Sequence, residues 1–480
     1  MLVVKLNKTQ FEYDIHSIVK AFYPEKDVKV LTPDSVVKDK EWFQRTPDMY
    51  IDFYETKIEV RAQGLHSKEL DNSDKSYKDE FKKFLYRCLC KETGKTLPWG
   101  NLTGIRPTKI AMGMLEKGQA DAEILAYMQD EHYVSLEKAN LSLDIAKREK
   151  RLLDLLHYEN GYSLYIGIPF CPTTCLYCSF TSYPICSWKS KMEQYLEAVF
   201  KEIDYVAEAY KDKILDTVYI GGGTPTTLEA DELDRLISKI KSSFNFDNVK
   251  EFTVEAGRAD SITYEKLKVL KEHGVSRISI NPQTMKDETL KLIGRRHTVD
   301  EVIKAFHMAR ELGFDNINMD IILGLPGEME EDVEYTASEI KKLVPDSLTV
   351  HSLAIKRASR LQSWILENGI KTLNNTDKTM EIAAKAAEDM NLKPYYLYRQ
   401  KNMSGNFENV GYATEGKEGI YNILIMEEKQ TIVALGAGSI TKVVLQDGRI
   451  ERCDNVKDVG LYIEKIDEMI ERKKSLFTLK

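Results

Sequence analysis

The chain has 480 residues, 42% hydrophobic and 30% charged, with 13 prolines, which excludes a disordered or fibrous chain and asks for two or three domains. Its 68 Lys and Arg against 76 Asp and Glu leave a net charge of −8, a balance that repels polyanions and places nucleic acid outside the expected partners. No run reaches the roughly 18 uncharged apolar residues of a membrane helix, and MLVVKLNKTQFEYD lacks a signal-like apolar stretch, so no membrane span and a cytoplasmic location are expected.

In chain order, MLVVKL and MYIDFYETKIEVRAQGL read as strands around one helix, and a mostly helical stretch follows the punctuated loop GKTLPWGNLTGIRP. An N-terminal α+β and helical domain is expected over residues 1–158. From there six short β-rich runs, SLYIGIPF, TVYIGGG, EFTVEAG, RISINP, INMDIILGLP and SLTVHSLAI, alternate with helical segments such as DELDRLISKIKSSF and EYTASEIKKLV. Near-continuous apolar strands separated by helices are the pattern of parallel βα units. The reading is α/β, with a partial (β/α)6 barrel over 159–373 and its chemistry at the C-terminal strand ends. Residues 374–480 carry a helix (DKTMEIAAKAAEDMN), β-rich runs YYLYRQKN, YNILIME, TIVALGAGSI and RIERC, and a closing helix near 456–472. They are expected to form a smaller α+β unit that covers the substrate.

Seven cysteines form an odd set, and three crowd into CPTTCLYC directly after the first barrel strand, which suits a reducing compartment and metal ligation. Three thiolates on one loop leave an open iron on a [4Fe–4S] cluster that normally takes four. A structural zinc is the alternative, although zinc sites more often pair CxxC halves. The turn Gly221-Gly222-Gly223-Thr224-Pro225 lets backbone approach a ligand, or is a tight βα turn. GAGSIT at 436–441 lacks the third glycine of a dinucleotide motif and a βαβ context, so a nicotinamide site is not expected.

CxxxCxxC with Tyr177 before its third cysteine, at the end of the first strand of a βα repeat, resembles the radical S-adenosylmethionine (SAM) enzymes. YIGGGTPTTL, the Gln283 to Arg295 spacing, MDIILGLPGE and ALGAGSIT are similar to the oxygen-independent coproporphyrinogen III oxidase group, and the N-terminal PWGNLTGIRPTK to its HemZ branch. The resemblance implies a [4Fe–4S] cluster on Cys171, Cys175 and Cys178, with S-adenosyl-L-methionine as second cofactor. It places Tyr165, Tyr177, Gly222, Gly223, Thr224, Glu255, Gln283, Arg295 and Asp320 at SAM, with Ala354 and Ile440 as further contacts.

The implied substrate is a tetrapyrrole, coproporphyrinogen III, whose propionates would become vinyls. The implied partner is an electron donor such as flavodoxin or ferredoxin. Four carboxylates ask for cations, and Arg357, Arg360 and Arg399 are the candidates; no catalytic side chain is assigned. The chain departs from the group at Phe180, where a further cysteine is usual, at Gly167 in place of a histidine, and at Glu255-Ala256-Gly257-Arg258 in place of Glu followed by Asp-Pro or Asn-Pro. These departures keep a haem-transfer chaperone, with His273, His297, His307 or His351 as possible axial ligands, and a haem-modifying methyltransferase as alternatives.

Overall fold

Alternation with period two sets the first sheet. Of β1 (Leu2–Leu6), β2 (Val28–Leu31), β3 (Met49–Phe53), β4 (Lys57–Arg61) and β5 (Leu65–Glu69), β3 and β4 show it: Met49, Ile51, Phe53, Ile58 and Val60 are buried while their neighbours are more open. The spatial order is β2-β1-β3-β4-β5, parallel on the β1 side and antiparallel from β3 onward. Helices Glu12–Phe22 and Tyr77–Thr93 bury Ile15, Ile18, Phe22, Phe81, Leu85 and Leu89 in the same core. Helices Thr108–Glu116, Asp121–His132 and Leu136–Leu153 follow.

The computed structural model describes residues 1–35, 40–104, 106–356, 359–369, 373–400 and 407–478. Two units emerge, Met1–Lys147 with Leu397–Glu408, and Arg148–Tyr396 with Asn409–Lys480. Within the first, the PWGN loop grips the later excursion. Trp99 is buried and donates to Glu408 Oε2 at 2.7 Å, and Lys138 Nζ lies 2.8 Å from Glu408 Oε1. Arg399 Nη1 donates to the Leu102 carbonyl at 2.7 Å.

The second unit is built on β6 (Gly161–Ile168), β7 (Phe170–Cys171), β8 (Tyr183–Pro184), β9 (Ile214–Gly222), β10 (Glu251–Gly257), β11 (Arg277–Ile280), β12 (Ile317–Leu323), β13 (Ser347–Ser352), β14 (Lys393–Tyr398), β15 (Asn409–Ala413), β16 (Thr431–Leu435), β17 (Ile440–Val444) and β18 (Ile450–Asp454). Strands β6 and β9 to β13 are parallel and adjacent in sequence order, the six runs expected from the apolar pattern. This is a partial β/α barrel. Amphipathic helices Met192–Ala209, Ala230–Ser243, Tyr264–Glu272, Val299–Glu311 and Glu330–Leu343 connect the strands, each burying one stripe, as with Leu233, Leu236, Ile237 and Ile240. A capping box starts Val299–Glu311: Glu301 N donates to Thr298 Oγ1 at 3.3 Å and Thr298 N to Glu301 Oε2 at 2.7 Å.

The C-terminal strands extend this sheet at both ends. β15 runs antiparallel to β13, and β16 runs parallel to β6 with Leu435 opposite Ile166. Two expectations are corrected. YNILIME is not β-rich but lies wholly in the helix Ile420–Glu427, because a short continuous apolar run fits a buried helix as well as a strand. The closing helix near 456–472 is two helices, Val459–Glu464 and Ile466–Phe477. After β16 the chain turns through Gly436 (φ 91°) and Gly438 (φ 72°) directly into the antiparallel β17, so GAGSIT opens no helix. A buried network braces that turn. Glu202 accepts from Gly436 N, Asn455 Nδ2 and Tyr462 Oη at 2.9, 2.8 and 2.6 Å, and pairs with Lys473 at 2.6 Å with both side chains fully enclosed.

Candidate functional site

The three expected cysteine ligands sit on one loop at the C-terminal mouth of the parallel strands, starting at β7. Cys175 is buried, and Cys171 and Cys178 are half-buried. The loop is held in place by its neighbours. Thr173 Oγ1 donates to Gly294 O at 2.7 Å, Leu176 N to Ile293 O and Leu361 N to Leu176 O at 2.9 Å each, and Arg360 to the Thr174 carbonyl. Donors face the sulfurs: Thr224 Oγ1 lies 3.5 Å from Cys171 Sγ, Arg258 Nη1 lies 3.8 Å from Cys175 Sγ, and the Arg295 guanidinium also bonds Cys175. Burial pushes the Cys171 thiol up to about 11 and raises Cys178, so without metal these thiols keep their protons and ligation must release them. Among the described residues no three His, Cys, Asp or Glu side chains are grouped to hold a single ion. A cubane requires only one thiolate at each of three separate irons.

The glycine turn packs against this loop. Gly222 has φ 105°, a conformation side chains disfavour, and a Cβ on Gly223 would stand 2.5 Å from the Phe170 carbonyl oxygen. The turn is fixed by Gly223 N donating to Ile168 O at 2.8 Å and Thr224 N to Phe170 O at 2.7 Å. Gly223 therefore has a packing reason for its identity that the motif by itself did not disclose.

Inside the barrel one position recurs. Strands β6, β10, β12 and β13 are buried along their lengths except at a single interior residue each, Tyr165, Glu255, Asp320 and His351, which are half-buried. A row of half-open side chains in otherwise closed strands is the lining of a cavity. The two carboxyls differ in character. Burial pushes Glu255 up to about 7, with the Asp320 charge adding to it against the Tyr219 hydroxyl that donates to it. Asp320 is also buried, but His351 beside it, with Asn318 Nδ2 donating at 2.7 Å, holds it below the usual carboxylate range. Tyr165, Tyr219 and Tyr421 stack around Glu255 with ring centroids 4.4 to 6.1 Å apart. Sequence reading missed Tyr219 and Tyr421. Direct pairing of Tyr219 with Tyr165 across β6 and β9 was the available signal for the first, whereas Tyr421 comes from the misread helix.

Gln283 and Arg295 complete the rim with orphaned polar atoms. Gln283 sits in left-handed backbone (φ 70°) with its side-chain Oε1 buried and, among the described residues, unpartnered; Arg295 Nε is likewise buried without a partner among the described residues, while Nη2 donates to Tyr177 Oη at 3.2 Å. An acceptor and a cationic donor left open beside two carboxyls, above three thiols, fit a ligand carrying both an ammonium and a carboxylate. Ala354 lies half-buried just past β13, and Ile440 opens β17 with 45% of its surface exposed.

The cation candidates separate. Arg357 lies outside the described residues. Arg360 is exposed and braces the cysteine loop. Arg399 is buried against the Leu102 carbonyl, and burial lowers it to about 10. Among the histidines, His297 is enclosed with Nδ1 3.5 Å from Asp260, His273 pairs with Asp234 at 2.7 Å, and His307 packs edge-on against Phe306. His351 faces the barrel interior.

Residues 165–340 match the Radical SAM superfamily. The chain is 41% identical over 430 residues to the oxygen-independent coproporphyrinogen-III oxidase-like protein HemZ of Bacillus subtilis strain 168, with 86% of each chain covered. The chain belongs to this oxidase-like family of radical SAM proteins. It is also 32% identical over 309 residues to Heme chaperone HemW of the same organism, covering 64% of this chain and 76% of that one. Among solved structures, coproporphyrinogen III oxidase (HemN) from Escherichia coli shares the fold at a TM-score of 0.53 and 22% identity, over 69% of this chain and 73% of that one. Radical SAM proteins use a [4Fe–4S] cluster and SAM, and the thiol loop and polar rim described above fit both. Relatives bearing oxidase and chaperone names fall together, so membership fixes the cofactors before it fixes the substrate. No described helix is long and apolar enough to cross a membrane.

Proposed function

We propose that this chain catalyses oxygen-independent oxidative decarboxylation of coproporphyrinogen III, converting two propionates to vinyls. The observation that carries the reading is the row Tyr165, Glu255, Asp320 and His351 inside a barrel whose mouth holds three free thiols, in a chain 41% identical to an oxidase-like protein. Cys171, Cys175 and Cys178 would hold the cluster. When bound, cluster and SAM supply one-electron chemistry that removes a hydrogen atom from an unactivated carbon. Each propionate would then lose one hydrogen atom, carried off as deoxyadenosine, one CO₂, and one electron, which passes to a one-electron acceptor supplied from outside the chain.

The chain's own residues supply position and charge. Asp320, kept ionised by His351, and Glu255, poised near neutrality, would accept from the ammonium and ribose hydroxyls of SAM. Arg295 would pair with its carboxylate. The tyrosine stack packs beside Glu255, with the Tyr219 hydroxyl donating to it. A flavodoxin or ferredoxin would deliver the electrons. The test is anaerobic reconstitution, then reduction with SAM and coproporphyrinogen III: deoxyadenosine together with a product two carboxyl groups lighter supports the reading, and deoxyadenosine with untouched porphyrinogen overturns it.

A second reading, haem transfer, is favoured by Phe180, which stands 77% exposed two residues after Cys178 where the oxidase group carries a cysteine. An exposed aromatic beside the mouth suits stacking on a macrocycle. A Soret shift on haem addition, lost in Phe180→Ser, supports it; an unshifted band removes it.

A further inference from the structure

The departure over Glu255-Ala256-Gly257-Arg258 puts a cation immediately past β10, and the structure shows where that cation goes. Gly257 turns the chain at φ 65° immediately past β10, and Arg258 N donates back to Ala256 O at 2.8 Å. This sends the Arg258 side chain beneath the cysteine loop, where it is 3% exposed. All three of its nitrogens are engaged. Nε and Nη2 donate to the two oxygens of Asp260 at 2.9 and 2.6 Å, while Nη1 donates to Thr173 O and Oγ1 at 2.9 and 2.8 Å and reaches Cys175 Sγ at 3.8 Å. Behind Asp260 lies the enclosed His297, 3.5 Å away. Ser261 Oγ donates to the Arg258 carbonyl at 2.7 Å and bonds Thr226 Oγ1 at 2.7 Å, tying this turn to the glycine motif.

We propose that Arg258, oriented by Asp260, is a positioning residue that tunes the cluster from beneath Cys175. A buried guanidinium donating to a cluster thiolate stabilises the added negative charge of the reduced state, and hydrogen bonds to sulfur with local charge are the protein's means of setting a cluster's potential. Asp260 offsets that charge. The two residues therefore pull the potential in opposite directions, a signature that a simple loop brace does not share. This inference rests on the cluster reading of the three cysteines.

The experiment is potentiometric titration of the anaerobically reconstituted full-length protein, followed by electron paramagnetic resonance, with iron and sulfide counted per chain. Arg258→Gln is expected to load iron but to titrate more negative, with the reduced fraction at a fixed poise falling about tenfold, equivalent to about 59 mV for one electron. Arg258→Lys is expected to recover part of the shift. Asp260→Asn is expected to move the potential the other way. Should Arg258→Gln fail to take up iron, Asp260→Asn alone decides. Wild-type potentials in the loaded variants overturn the proposal and leave Arg258 a brace. A wild-type chain that loads no cluster fells the cofactor reading instead, so the two failures are distinct.

Discussion

Two buried glutamates in the same unit illustrate two uses of a carboxylate. Glu202, behind the Gly436 turn, is fully enclosed and saturated: three hydrogen bonds and the Lys473 ammonium meet its two oxygens. Glu255, inside the barrel, is half-open and takes one hydrogen bond among the described residues, from Tyr219, and burial leaves it near 7. Saturation makes a group structural, because nothing remains for a ligand to satisfy. An unsatisfied carboxyl is costly to the fold and retains capacity for a partner.

The widest separation is expected in stability. Glu202→Ala strands Lys473 in the interior, and denaturant unfolding should register a loss of about 3 to 5 kcal/mol; a loss below about 1 kcal/mol would break the contrast. Glu255→Gln should cost less than about 1 kcal/mol in the same assay, while weakening SAM binding to the reconstituted protein about tenfold, near 1.4 kcal/mol, by equilibrium dialysis.

Acidity sharpens the contrast further. Glu255 ionises near 7 in the folded chain against about 4.3 for an ordinary glutamate, so the fold favours its neutral form. Its contribution to stability is present below the ordinary value and lost as pH rises through about 7. A cationic ligand favours the ionised form, so SAM affinity should fall toward acid below about 7, by up to tenfold per pH unit, with a flat profile in Glu255→Gln. A control lies away from both glutamates. Thr298→Ala removes a cap from helix Val299–Glu311 and should cost about 1 kcal/mol without altering SAM affinity.

The six barrel strands and the cysteine loop were legible because both are local patterns: apolar runs of strand length, and three ligands within eight residues. Ile420–Glu427 was not, since Tyr421, Ile423 and Leu424 are apolar on successive turns of a helix too short to show its period. Arg258 on Cys175 was beyond reach for another reason. Eighty-three positions separate the two, and their meeting depends on the left-handed turn at Gly257. Arg399 was read as a substrate cation from its aromatic neighbours, but its partner is a main-chain carbonyl 297 positions away, which no side-chain pattern announces. Arg360, which donates to the Thr174 carbonyl of the cysteine loop, is a cation candidate beside the thiols.

The pairing of β16 with β6 has a consequence for synthesis on the ribosome. Tyr162 aligns with Thr431, so the first barrel strand leaves the exit tunnel some 269 positions before the strand that covers its outer edge. At about 5 to 20 residues per second, that edge and the cysteine loop beside it stay bare for on the order of ten to fifty seconds. During that interval the nascent chain presents three oxidisable thiols and an unpaired strand together, so the order of chain completion and iron delivery bears on whether those thiols reach their ligand intact.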